Sequence, residues 1–230
     1  MKPTTWNYIW KIFTIVLMLY VILGGMLMEV PVLPVIHQTI RNIYFHVGMW
    51  FSMIFILFAG FIFSLRYLRT FHPRFDRMAY ATVKTGLVFG FLGLITGMIW
   101  AKYTWGVYWV NDPKLNGAAV GILVYLAYMV LRSSVEDPEK RARLVAVYKI
   151  FAFVIMFVFI MILPRLTGAS IHPGVDGNPA LATGDLDPLM RRVFFPAIAA
   201  WMLFAWWVYT LVYRMDTVKE KINQINIDPS

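Results

Sequence analysis

The sequence predicts an all-α polytopic membrane protein: a single domain of six transmembrane helices over residues 1–230, with both termini cytoplasmic. Three observations carry that prediction. Hydrophobic residues make up 60% of the chain and charged ones only 14%, against roughly a quarter charged in soluble domains. Six apolar runs each come close to the ~20 residues that a helix needs to cross a hydrocarbon core of about 30 Å. The connections on one side hold twelve Lys and Arg and those on the other side six. Basic residues collect in cytoplasmic loops, so the richer side faces inward.

The first span is placed at Tyr8–Met28. It has no Ala-x-Ala cleavage pattern, so it reads as a retained anchor rather than a removed signal. The second and third are placed at Ile43–Leu65 and Ala79–Trp100. The fourth, Gly117–Leu131, is short. Leu115, Asn116 and the snorkelling stem of Arg132 are expected to complete it. Asp137-Pro138-Glu139 reads as an N-cap followed by a proline at the first helical position. It opens a basic turn into the fifth span, Leu144–Leu163. The sixth is Phe194–Tyr213, and the polar tail beyond it is expected to fray.

The charge of +9 is scattered among the spans and forms no continuous stripe, so nucleic acid is not the expected partner and the lipid bilayer is. The chain has no cysteine, which excludes disulfides, thiolate metal sites and a cysteine nucleophile. No Gly-x-x-x-x-Gly-Lys-Ser/Thr loop is present for nucleotide phosphates.

The outer connections, 29–42, 101–116 and 164–193, hold the candidate chemistry. The third is the longest, punctuated by Pro164, Pro173, Pro179 and Pro188 with Gly168, Gly174, Gly177 and Gly184. The first holds Pro31, Pro34 and His37. In the second, Trp105, Tyr108 and Trp109 lie beside Gly106. They read either as an interfacial aromatic belt or as a platform for a flat ligand, with Gly106 allowing close approach. Asp112 before Pro113 reads as a helix cap that fixes the loop. His46 enters an apolar span. It is either a neutral interfacial histidine or, as costly intramembrane ionisable groups commonly are, a functional one. His172 lies in the third outer connection. It is either simply exposed or a ligand. His37 is a spare candidate, and His72 sits in a basic inner turn. Two imidazoles from different connections could approach one haem iron from opposite faces. Arg41, Lys114, Arg165 and Arg191 or Arg192 could then meet the propionates.

Trp105-Gly106-Val107-Tyr108-Trp109-Val110-Asn111-Asp112 resembles the tryptophan-rich signature of the WWD-motif haem-handling membrane proteins of cytochrome c maturation. That signature reads approximately Trp-Gly-x-Trp-Trp-x-Trp-Asp, and Tyr108 and Asn111 replace two of its tryptophans. The size, the six spans, the stretch Arg41-Asn42-Ile43-Tyr44-Phe45-His46-Val47 and the inner stretch from Leu131 to Ala142 are similar to the CcmC type of System I. The resemblance implies transient binding of haem b at the outer face of a bacterial inner membrane. It also implies presentation of that haem to a haem chaperone beside ABC-type transporter subunits and a small membrane subunit. It assigns His46 and His172 as axial ligands and Trp105, Gly106, Tyr108 and Trp109 as the platform. Asp112 would hold the loop, with Arg41 and Lys114 close to the haem. A bond-making enzyme is not implied. Two other classes stay open: a cytochrome b-like oxidoreductase subunit, which needs histidines within spans, and a small-solute transporter, which needs broken helices or paired intramembrane charges.

Overall fold

The computed structural model describes residues 5–32, 36–167, 170–172 and 186–227. Pro34, Gly168, Pro173, Gly174, Gly177, Pro179 and Gly184, singled out above, lie outside them. The described residues form helices and no strand: α1 (Thr5–Leu27), α2 (Ile43–Thr70), α3 (Pro73–Trp105), α4 (Pro113–Ser134), α5 (Pro138–Phe157), α6 (Leu163–Thr167) and α7 (Pro188–Ile227). A 3₁₀ turn, His37–Asn42, leads into α2, and a π turn, Val158–Ile162, joins α5 to α6. Six helical segments are thus long and apolar enough to cross a membrane.

The helices run further than the hydrophobic runs alone indicate, because caps and side-chain partners carry them on. At α3, the His72 ring accepts the Arg74 amide ahead of a proline in the first turn. Asp112 and Asp137 cap α4 and α5 in the same way. Each cap satisfies an amide that has no partner inside its helix. The α3 helix continues past Trp100 to Trp105. It closes at Gly106, whose φ of 78° is left-handed and whose amide returns to the Lys102 carbonyl at 3.1 Å. The tail expected to fray is instead helical to Ile227. Asp216 and Glu220 pair with Lys84 and Arg77 of α3, the latter pair at 3.2 Å. The third outer connection is also shorter than expected, since α6 reaches Thr167 and α7 begins at Pro188.

The α2 helix is the axis of the bundle, packed against α3, α5 and α7. Met53, Ile56, Leu57, Phe89, Tyr125 and Met156 form the main core. A second cluster of Val21, Tyr44, Val193, Phe194 and Ala197 ties α1, α2 and α7 together. At α4, a Cβ on Gly117 would lie 2.2 Å from the Phe159 carbonyl oxygen of the π turn, so these two backbones meet directly. Small residues allow such close helix approach in membranes.

Charged groups lock the end of the bundle opposite His46. Arg132 was expected to snorkel. Instead it donates both terminal nitrogens to Asp76, at 2.8 and 2.7 Å, and joins α4 to α3. Lys149 of α5 is fully buried and donates to the Ala79 carbonyl and, at 2.9 Å, to the Thr82 hydroxyl. Burying such groups is tolerable only when each has a partner.

Candidate functional site

The other end of the bundle holds an open cavity of about 620 Å³, in the size range of small-molecule and cofactor sites. Its apolar depth runs down α2 and α3 past Trp50, Ile54, Leu94 and Met98. Its mouth is lined by Trp105, Tyr108, Trp109, Lys114, Arg165 and His172. The π turn contributes Ile160 and Met161 to the wall. Such turns re-aim side chains within an otherwise regular helix and recur at functional sites.

His46 lies in the first turn of α2 and is 7% exposed. Its Nδ1 is 3.2 Å from the Thr96 hydroxyl oxygen of α3. The rings of Trp50 and Trp100 meet it edge-on, with centroids at 6.4 and 5.9 Å. The ring fits because residue 97 is glycine: a Cβ there would stand 2.7 Å from His46 Cε1. Asn42, one turn before His46, donates to the Thr96 carbonyl at 3.2 Å. Asn42, at the end of the 3₁₀ turn, and His46, in the first turn of α2, therefore grip the same residue of α3.

His172 is half-buried, and its ring centroid lies 6.4 Å from that of His46, with the planes inclined by 32°. The Trp105 ring meets it edge-on at 6.5 Å. Asp112 places this segment. Its Oδ1 accepts the Lys114 and Leu115 amides at 2.8 and 3.3 Å, which caps α4. The same oxygen accepts the Ser170 hydroxyl at 3.0 Å, and Oδ2 accepts the Ile171 amide at 2.8 Å. Ser170 in turn accepts the His172 amide at 3.2 Å. Burial alone would raise the Asp112 pKa, but the Ser170 hydroxyl and the Lys114, Ile171 and Leu115 amides more than offset that and hold it below the usual carboxylate range. One carboxylate thus fastens the second outer connection to the third.

Tyr108 and Trp109 are both exposed beyond a third, at 56% and 37%. Trp109 donates to the Asn116 side chain at 3.3 Å, and Asn116 donates to Asn111 at 2.7 Å. Lys102 donates to the Gly106 carbonyl at 2.7 Å and lies over the Tyr108 ring. Gly106 therefore ends a helix rather than lining the cavity. Lys114 and Arg165 are the cations of the cavity wall, and Arg165 also donates to the Met161 carbonyl.

Of the residues singled out from the sequence, the structure brings together His46, His172, Trp105, Tyr108, Trp109, Lys114 and Arg165. Arg41 lies outside the cavity wall and donates to the Gly25 and Met28 carbonyls at the end of α1. Arg191 donates to the Leu186 carbonyl, and the Arg192 carbonyl accepts from Tyr20. His37 is exposed at the start of the 3₁₀ turn, and His72 caps α3. Trp50, Thr96, Gly97 and Trp100 were not singled out. Their only trace in the sequence is a tryptophan one turn after His46 and a polar threonine beside glycine inside an apolar run.

The model of the cytochrome c assembly protein family matches residues 4–172 of this chain. Among curated proteins the chain is 38% identical over 110 residues to heme exporter protein C of Bradyrhizobium diazoefficiens, covering 47% of this chain and 41% of that one. It is 35% identical over 109 residues to heme exporter protein C of Paracoccus denitrificans, covering 47% and 45%. It is also 36% identical over 97 residues to cytochrome c biogenesis protein CcsA of Prochlorococcus marinus, covering 42% and 29%. In each case the matched stretch spans less than half the length of the relative.

Proposed function

Because the chain belongs to the cytochrome c assembly protein family, we propose that it binds haem b transiently at the outer face of the bacterial inner membrane and presents it for cytochrome c assembly. The observation that carries this reading is the 6.4 Å between the centroids of His46 and His172. Two metal–imidazole bonds of about 2 Å each, plus about 1.1 Å from each nitrogen to its ring centre, give roughly 6 Å. The spacing therefore suits one iron atom held by both rings, and imidazole is a standard axial ligand of haem.

The donor set fits the rest of the group. The aromatic rims of Trp105, Tyr108 and Trp109 suit the edge of a flat macrocycle. Lys114 and Arg165 at the cavity mouth suit two carboxylates. Iron protoporphyrin would supply any redox chemistry, while this chain supplies ligation, orientation and access. The two ligands are held differently. His46 is buried on a long helix, whereas His172 hangs from Asp112 through two hydrogen-bonded residues. His172, tethered through this short segment, would be the ligand that lets go when haem passes to a haem chaperone. ABC-type transporter subunits and a small membrane subunit are the proposed neighbours. A ligand-presenting site calls for no nucleophile or acid–base pair, so the proposed role is haem handling and not catalysis of a bond change.

The test is optical. Haem-loaded protein is expected to show a six-coordinate bis-imidazole spectrum, which His46→Ala and His172→Ala each abolish and His37→Ala and His72→Ala leave unchanged. Unchanged spectra in both of the first two variants remove the axial assignment.

A further inference from the structure

Thr96 does more than touch His46. Its hydroxyl lies 2.8 Å from the Leu92 carbonyl and 3.0 Å from the Gly93 carbonyl, one turn back in α3. A threonine hydroxyl has one proton and two lone pairs. With the proton given to a helix carbonyl, only a lone pair is left for His46 at 3.2 Å. That contact is a hydrogen bond only if Nδ1 carries hydrogen. A neutral imidazole carries one proton, so Nε2 is then left bare, and an unprotonated nitrogen is what a metal requires.

The surroundings deny the ring an alternative pose. Gly97 leaves His46 just enough room, since any Cβ would stand 2.7 Å from Cε1. Trp50 and Trp100 abut it edge-on. Asn42 holds the backbone of Thr96 itself. We propose that Thr96 is a positioning residue that fixes His46 as the Nδ1–H tautomer, so that Nε2 is presented to the iron. The purpose of this device rests on the haem reading, but its geometry does not.

The test therefore begins without haem. Nitrogen-15 NMR of ring-labelled, haem-free protein in detergent micelles at alkaline pH distinguishes the two tautomers, with the His46 signals assigned by their loss in His46→Gln. Wild type is expected to show hydrogen on Nδ1. Thr96→Val, equal in shape but without the hydroxyl, is expected to move the proton to Nε2 in part or in full, and Thr96→Ser to keep it on Nδ1. A wild-type signal from Nε2–H, or a valine variant identical to wild type, overturns the assignment. Haem titration is the second readout. Loss of such an orienting partner costs roughly 10- to 100-fold in metal affinity, so Thr96→Val is expected to weaken haem binding by that factor and Thr96→Ser to restore most of it. A wild-type protein with the Nδ1–H tautomer that takes up no haem supports the positioning role and overturns the haem reading.

Discussion

Asp112 shows how much one side chain carries at this site. Its two oxygens accept four donors from two chain segments. Replacing an N-cap costs about 1 kcal/mol through the helix alone, and here the His172 segment loses its anchor as well. Asp112→Ala is expected to speed hydrogen exchange of the Ile171 amide by at least about tenfold, corresponding to about 1.4 kcal/mol. An unchanged rate would mean that other contacts hold the segment. Because the folded-state pKa of Asp112 is lowered, its contribution is fully present above the ordinary aspartate value of about 3.9 and is lost as pH falls through the lower folded value. The anchor is therefore expected to hold across neutral pH and to fail only in acid. Read from the sequence, the Asp-Pro pair announced the cap. It could not announce Ser170 and Ile171 as partners, because they lie nearly sixty residues away.

At the scale of elements, the close approach of α4 to the π turn shapes the cavity wall, since Ile160 and Met161 line it and Phe159 meets Gly117. Gly117→Ala puts a Cβ 2.2 Å from a backbone oxygen, which no rotamer change relieves. Forcing an extra carbon into such a contact costs typically about 1–3 kcal/mol. The variant is expected to unfold at a lower temperature in detergent and to bind haem more weakly. Wild-type stability would show that α4 can shift without cost. The spans were legible in the hydrophobic runs, but their ends were not. The α7 helix continues past Tyr213 because Lys84 and Arg77 of another helix pair with its polar residues, and α3 reaches Trp105 to a glycine terminus. No local pattern encodes the pairing that extends α7, whereas the Gly106 stop of α3 is a local signal that hydropathy alone does not read.

Across the whole molecule, the two ends of the bundle differ in kind. One end is closed by paired charges, Arg132 with Asp76 and Lys84 with Asp216. The other opens into the cavity. The distribution of Lys and Arg is the basis on which we propose that the closed end faces the cytoplasm. The absence of native cysteine makes this directly measurable. Tyr108→Cys is expected to react with a membrane-impermeant maleimide in spheroplasts, and Ser133→Cys only after the membrane is opened. The reverse pattern would put the cavity on the cytoplasmic side and remove the presentation proposal.

The sequence by itself determined the class of the protein. Apolar runs of spanning length force helices, because a backbone in lipid must satisfy its own hydrogen bonds. It also marked the aromatic connection, the Asp-Pro caps and the histidines as the places where chemistry could sit. Only the tertiary structure decided that two of those histidines stand 6.4 Å apart, that Arg41 holds α1 rather than the cavity, and that Thr96 and Gly97 form the slot for His46. The physical reason is one of range. Hydropathy and capping act within a few residues along the chain, whereas a histidine pair, a partly buried ion pair and a ring lodged against a glycine are fixed by packing between segments far apart in sequence.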